Sequence, residues 1–140
     1  MNTKEIIETI GFIGIGGLLK SAFDYFYVEK KKTKDQSRHE LKEIRYKAVI
    51  ILCYTLLNYE ENKEKLSNHR PDIKSKEELN KEIELEWLNM ALYASDSVIS
   101  ATKEFLLLSN QENLTNMILT MRKSLYDIKT SLSSHDFILP

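Results

Sequence analysis

The sequence predicts an all-α chain: one N-terminal transmembrane helix followed by a three-helix cytoplasmic bundle that is oligomeric. Three observations carry this. Residues 6 to 28 are almost continuously apolar and are closed by a run of lysines. No glycine follows Gly17, and Pro71 and Pro140 are the only prolines, so the long remainder of the chain has few places for tight turns. Apolar residues then recur at spacings of three and four, the period of a helix. The chain accordingly divides into residues 1–32, the span with its basic stop, and residues 33–140, the cytoplasmic helical domain.

The opening stretch "IGFIGIGGLLKSAFDYFYVEKKK" begins at Ile10. It is not a Walker loop, because Lys20 and Ser21 follow Leu19 where a glycine is needed to bring backbone N–H groups and lysine to one phosphate. It is not a dinucleotide fingerprint either: Gly14-x-Gly16 lacks the third glycine and no strand precedes it. A secretion signal has an apolar core of this length, but no small-x-small cleavage site follows. A membrane span accounts for more. Residues 6 to 28 number 23, roughly 34 Å of helix against a hydrocarbon core of ~30 Å. The aromatics Phe23, Tyr25, Phe26 and Tyr27 gather at one end, at headgroup level, and "EKKKTK" follows as a positive stop. The expected topology is single-pass in the cell inner membrane, N-terminus out and C-terminus cytoplasmic. On a 3.5-residue repeat Gly14, Gly17, Ser21 and Asp24 share one stripe, and Gly17-x-x-x-Ser21 lets two helix backbones approach closely. Lys20 and Asp24 lie one turn apart. Self-association of the span through this stripe is expected.

The first cytoplasmic helix is expected from about Thr33 to Leu66. Its apolar block, Ala48 to Leu57, is too short to cross a bilayer and reads as a helix buried on most sides. "SNHRPDIKSKEEL" breaks it, since Pro71 disfavours helix at Arg70. Ser75 and Glu78 form a capping box that starts the second helix. Leu79, Ile83, Trp87, Met90, Ala94, Val98, Ala101, Phe105 and Leu108 place that helix on one long apolar stripe. At this length it spans roughly 50 Å, more than its neighbours can cover, and self-association would bury the excess. Ser109 with Glu112 marks a second capping box. The last helix uses Leu114, Met117, Ile118, Met121, Leu125, Ile128 and Leu132, and the apolar tail "SSHDFILP" is placed to dock back.

Composition narrows the chemistry. Net charge is −1, which speaks against a double-stranded nucleic acid partner held by bulk charge. Charge is uneven along the chain: residues 29–47 carry eight Lys/Arg against four acids, and residues 77–86 carry five Glu against one Lys. The single cysteine, Cys53, reads as a small buried hydrophobe. The three histidines fit no metal-ligand spacing. No nucleophile elbow, Cys-His motif or segregated carboxylate pair is present, and the glutamates of "KEELNKEIELEWLN" read as a wet helix face. No enzymatic activity, metal or cofactor is expected.

Three polar clusters remain as candidate ligand sites: Arg45, Tyr46 and Lys47; His69 and Arg70; and Arg122, Lys123, Tyr126 and Lys129. Guanidinium forks match phosphates and tyrosine faces stack on bases. With only four arginines in the chain, repetition around a symmetry axis would multiply each one.

The glycine-rich span, the "EKKK" stop and the small helical domain, with the stretches "EIRYKA", "NHRPDI", "LEWLNMALYASD" and "MRKSLYDIKT", resemble the small membrane-anchored effectors of bacterial anti-phage defence. The nearest likeness is to the cyclic-oligoadenylate-responsive membrane effectors of type III CRISPR loci. The resemblance implies a cytoplasmic domain that oligomerises around a cyclic oligonucleotide and spans that disrupt the membrane in antiviral defence. The alternative is a membrane-tethered helical scaffold or adaptor that holds a partner protein.

Overall fold

A computed structural model describes Thr3 and residues 34–140. The described residues are all-α, with five helices and no strand among them. These are α1 (Lys34–Leu57), α2 (Tyr59–His69), α3 (Lys76–Asn89), α4 (Asp96–Leu107) and α5 (Gln111–Tyr126), with 3-10 turns at Met90–Leu92 and Ser134–Phe137. The expected span over residues 6–28, its topology and its Gly14, Gly17, Ser21 and Asp24 stripe lie outside the described residues. Among those described, no helix is long and apolar enough to cross a membrane. The chain divides into two units, Met1–Leu79 and Asn80–Pro140.

In the first unit, α1 buries Tyr46, Ala48, Val49, Leu52, Cys53 and Leu56. That is more than one face, as the Ala48–Leu57 block predicts. The expected single helix from Thr33 to Leu66 is divided at Asn58, whose φ of −116° and ψ of 40° leave the helical region. Side-chain bonds to backbone carbonyls gather at this break, of the kind that favours non-helical conformations. The Thr55 hydroxyl donates to the Ile51 carbonyl at 2.8 Å. The Asn58 amide donates to the Tyr54 carbonyl at 3.1 Å. The buried Asn62 amide then takes the Asn58 carbonyl at 3.0 Å. Helix α2 ends before Pro71 as expected, where the Ile73 N–H closes a turn onto the Arg70 carbonyl at 3.0 Å. Proline's fixed φ suits the second position of such a turn. Ser75 caps α3 by accepting the Glu78 N–H at 3.1 Å. The Glu78 carboxylate reaches back to the N–H of Lys74, one residue short of the reciprocal bond a full capping box makes.

In the second unit the expected long helix is two helices. After Asn89 the chain tightens into the Met90–Leu92 turn, and the Ala94 N–H returns to the Met90 carbonyl at 2.8 Å. Ser95 is extended (φ −71°, ψ 155°) and α4 begins at Asp96. The Trp87 indole N–H donates to the Ile99 carbonyl at 3.0 Å. In an unbroken helix those residues would lie about 18 Å apart along the axis, so this contact requires the chain to turn back. The break removes the excess length on which the expectation of self-association through this helix was built.

Helices α4 and α5 pack on each other. Their three-residue connection, Leu108 to Asn110, makes them antiparallel neighbours. The Ser95 hydroxyl at the start of α4 accordingly meets the Ser124 hydroxyl near the end of α5 at 3.3 Å. Val98, Ala101 and Phe105 from α4 and Leu114, Met117 and Met121 from α5 are buried, together with Ile83 and Met90. The buried Thr102 hydroxyl is satisfied by the Val98 carbonyl at 2.8 Å.

The cap of α5 is Asn110, not Ser109: its side chain accepts the Asn113 N–H at 2.8 Å. The Ser109 hydroxyl instead donates back to the Phe105 carbonyl at 3.0 Å. Asn113 also seals α4, its amide donating to the Leu108 carbonyl at 2.8 Å. Leu108, expected in the core, is exposed at this connection. Helix α5 stops at Tyr126, short of the expected Ile128 and Leu132, because Asp127 takes the left-handed conformation (φ 51°, ψ 33°). Aspartate tolerates that region better than most residues, and no glycine is at hand. The tail then forms the Ser134–Phe137 turn, which packs on α5 and is started by a Ser133/Asp136 capping box.

Two substitutions separate the two caps. Asn110→Ala removes the cap of α5 and lowers stability by about 1 kcal/mol. Ser109→Ala changes it by less than about 0.5 kcal/mol. Urea unfolding followed by far-UV circular dichroism checks both. A larger loss from Ser109→Ala than from Asn110→Ala would return the cap to Ser109.

Candidate interaction surface

The three polar clusters fare differently. In the first, Tyr46 is 1% exposed, so its ring is core and its face is not open to a base. The Lys42 ammonium lies 5.7 Å from the centre of that ring. Lys47 is exposed and pairs with Glu43 at 2.8 Å, and Arg45 is half-buried beside them. In the second, His69 is the exposed last residue of α2. The Arg70 fork grips Asp72, Nε to Oδ1 at 2.9 Å and Nη2 to Oδ2 at 2.8 Å. This guanidinium staples the turn that joins α2 to α3. In the third, Arg122 is half-buried and Lys123 and Tyr126 are exposed on the last turns of α5. Lys129 is exposed but lies past the Asp127 turn, so it does not continue their helix face.

Cys53 is fully buried, and burial pushes its thiol up, keeping it protonated and inert at neutral pH. Among the described residues no three of His, Cys, Asp and Glu come together in a way that could hold a metal ion.

The feature that stands out is apolar. Leu85, Leu88 and Leu92 are 57%, 60% and 87% exposed. Their spacings of three and four put them on one stripe at the end of α3 and in the turn after it. The stripe lies on the side of the helix away from Ile83 and Met90, which are fully buried. Glu84 is exposed beside it and accepts from the Asn80 amide at 3.0 Å. Lys81, one turn earlier, ends the apolar run. The wet-face reading of "KEELNKEIELEWLN" therefore holds for Glu77, Glu78 and Glu84. It fails for Glu86, which is buried, and it passes over the leucines. Their signal was present in "LEWLNMAL" as a second helical stripe, out of phase with the core stripe.

Compared with known protein families, with curated proteins and with solved structures, the chain matches none.

The Arg70 fork holds the Asp72 carboxyl below its ordinary value near 3.8. A carboxyl whose folded pKa is depressed adds stability above its unfolded pKa and loses it as pH falls through the folded value. The pair is largely solvent-exposed at Asp72, so Asp72→Ala should cost no more than about 1 kcal/mol at neutral pH. Thermal melts across pH should show the mutant and parent converging below about pH 4. A gap that persists undiminished in acid would mean that the carboxylate is not its source.

Proposed function

We propose that this chain is a helical interaction module that holds another protein by the exposed leucine face of α3. The observation that carries this reading is the Leu85/Leu88/Leu92 stripe. Exposed leucines scattered singly need no explanation, but a contiguous helical row of them marks a contact surface. Residues 6–28, read as a membrane span, would tether the module at the membrane with its helices in the cytoplasm. Their small-residue stripe would let spans associate, so the module would be presented in more than one copy. This is the scaffold or adaptor reading, and it needs no chemistry from the side chains.

A second reading stays with the third polar cluster, favoured by the exposure of Lys123 and Tyr126 one turn from each other on α5. There the ligand would be a nucleotide second messenger such as a cyclic oligoadenylate, phosphate held by Arg122 and Lys123, a base stacked on Tyr126. The output would be membrane disruption in antiviral defence.

Two measurements decide between them. A photo-crosslinking residue at position 88 of the full chain, in cells, should give a discrete adduct whose attachment maps to a helix of the partner. The same residue at the exposed position 68 should not. Loss of that contrast would end the first reading. In parallel, cyclic oligoadenylates should leave the melting temperature unchanged. A ligand at 100 times its dissociation constant would add about 2.7 kcal/mol, and such a shift, removed by Arg122→Ala, would put the second reading first.

A further inference from the structure

We infer that the leucine face of α3 takes a basic amphipathic helix of another protein, and not a second copy of this chain. The inference rests on the interaction reading above and names the chemistry of its occupant.

On the heptad register of α3 Leu85 occupies an a position and Leu88 the d position after it, and Leu92 follows in the 3-10 turn that closes the helix. Such a row docks a helix that carries apolar residues at the same spacing. The residues that flank the row set partner choice. Glu84 falls at g, with Glu82 and Asn89 at e. Glu84 and Asn89 are exposed and Glu82 is half-buried. The segment as a whole is acidic, with five Glu against one Lys in residues 77–86. Of these five, Glu86 is turned into the fold. Lys81 is the one cation, at the end of the row.

Two copies of this face would bring acid against acid at their flanks, and like charges at an interface select against that pairing. The same flanks attract lysine or arginine at the e and g positions of an incoming helix. The charge thus sorts the possible occupants: an apolar row alone would accept any amphipathic helix, its own copy included, and the glutamates narrow it to basic ones.

The test uses the full chain in mild detergent and two labelled peptides of three heptads, each with Leu at a and d. One carries Lys at e and g, the other Glu, and each repels itself enough to stay single. Fluorescence anisotropy should show the Lys peptide binding at least about tenfold tighter than the Glu peptide, the 1.4 kcal/mol that a few exposed ion pairs supply. Its affinity should fall with added salt and with Leu88→Ser, a change at an exposed position that leaves the fold intact. Glu84→Lys should narrow the gap between the peptides. If the Glu peptide binds equally or better, the basic partner is wrong and the interaction face stands. If Leu88→Ser lowers the mass of the parent oligomer in sedimentation, the occupant is a second copy and the inference is overturned. If neither peptide binds, the interaction reading fails with it.

Discussion

The hydrogen bond from the Trp87 ring to the Ile99 carbonyl exists only because the backbone reverses between Met90 and Ser95, and the second unit depends on that reversal. A straight helix would string Ile83, Met90, Val98, Ala101 and Phe105 along one line, too long for any neighbour to cover. Turned back, the same residues are buried within a short segment of chain, with Leu114, Met117 and Met121 of α5 completing the set. Tryptophan suits the position because its ring supplies apolar area while its N–H needs one acceptor. The reversal also gives α3 an end of its own. Leu88 and Leu92 stand at that end, exposed instead of lying in the middle of a longer helix.

A chain with no glycine after Gly17 must end its helices by other means, and several of its breaks share one chemistry. Asparagine, serine, threonine and aspartate bond to nearby backbone and so stabilise non-helical conformations locally. Asn58 and Asn62 divide α1 from α2. Asn110 starts α5 while Asn113 seals the end of α4. Asp127 takes the left-handed turn that glycine would normally take. Every one of these side chains is short and polar, and each sits where a helical period continues unbroken on either side.

That is also why the fold was only partly legible. The all-helical class follows from period and from the scarcity of breakers, and the Pro71 break and Ser75 cap follow from residues with strong local preferences. The breaks at Asn58 and at residues 90–95 do not interrupt the apolar spacing, so a reading by period runs straight through them. "YASDS" did hold a start signal, a serine followed by an acid in the first turn of α4. A reading by period passes over it, because the apolar stripe runs on through it without a gap. At the candidate site the bias ran the other way. Charged and aromatic residue types point to ligand binding, yet Tyr46 is core and Arg70 clamps Asp72. Residue type alone cannot tell a ligand-binding tyrosine from a packed one; burial can.

Folding explains the buried side of α3 but not its exposed side. One apolar stripe suffices to seat a helix, and the opposite side is free to be polar at no cost to packing. Most of it is polar. The exposed Tyr54 stands alone on α1, and Leu107 and Leu108 are adjacent at a helix end, where the chain turns. Ile128, Leu132, Ile138 and Leu139 are exposed in the tail after α5. Among the described residues Leu85, Leu88 and Leu92 are the exposed leucines that follow helical spacing along α3 and the turn that ends it. Leucine there adds nothing to the second unit's own core, and it lowers solubility wherever it is left uncovered. On the proposed reading, the glutamates around the row would offset that liability by repelling further copies. On that reading, the charges that disfavour a second copy are the same ones that would select a basic partner.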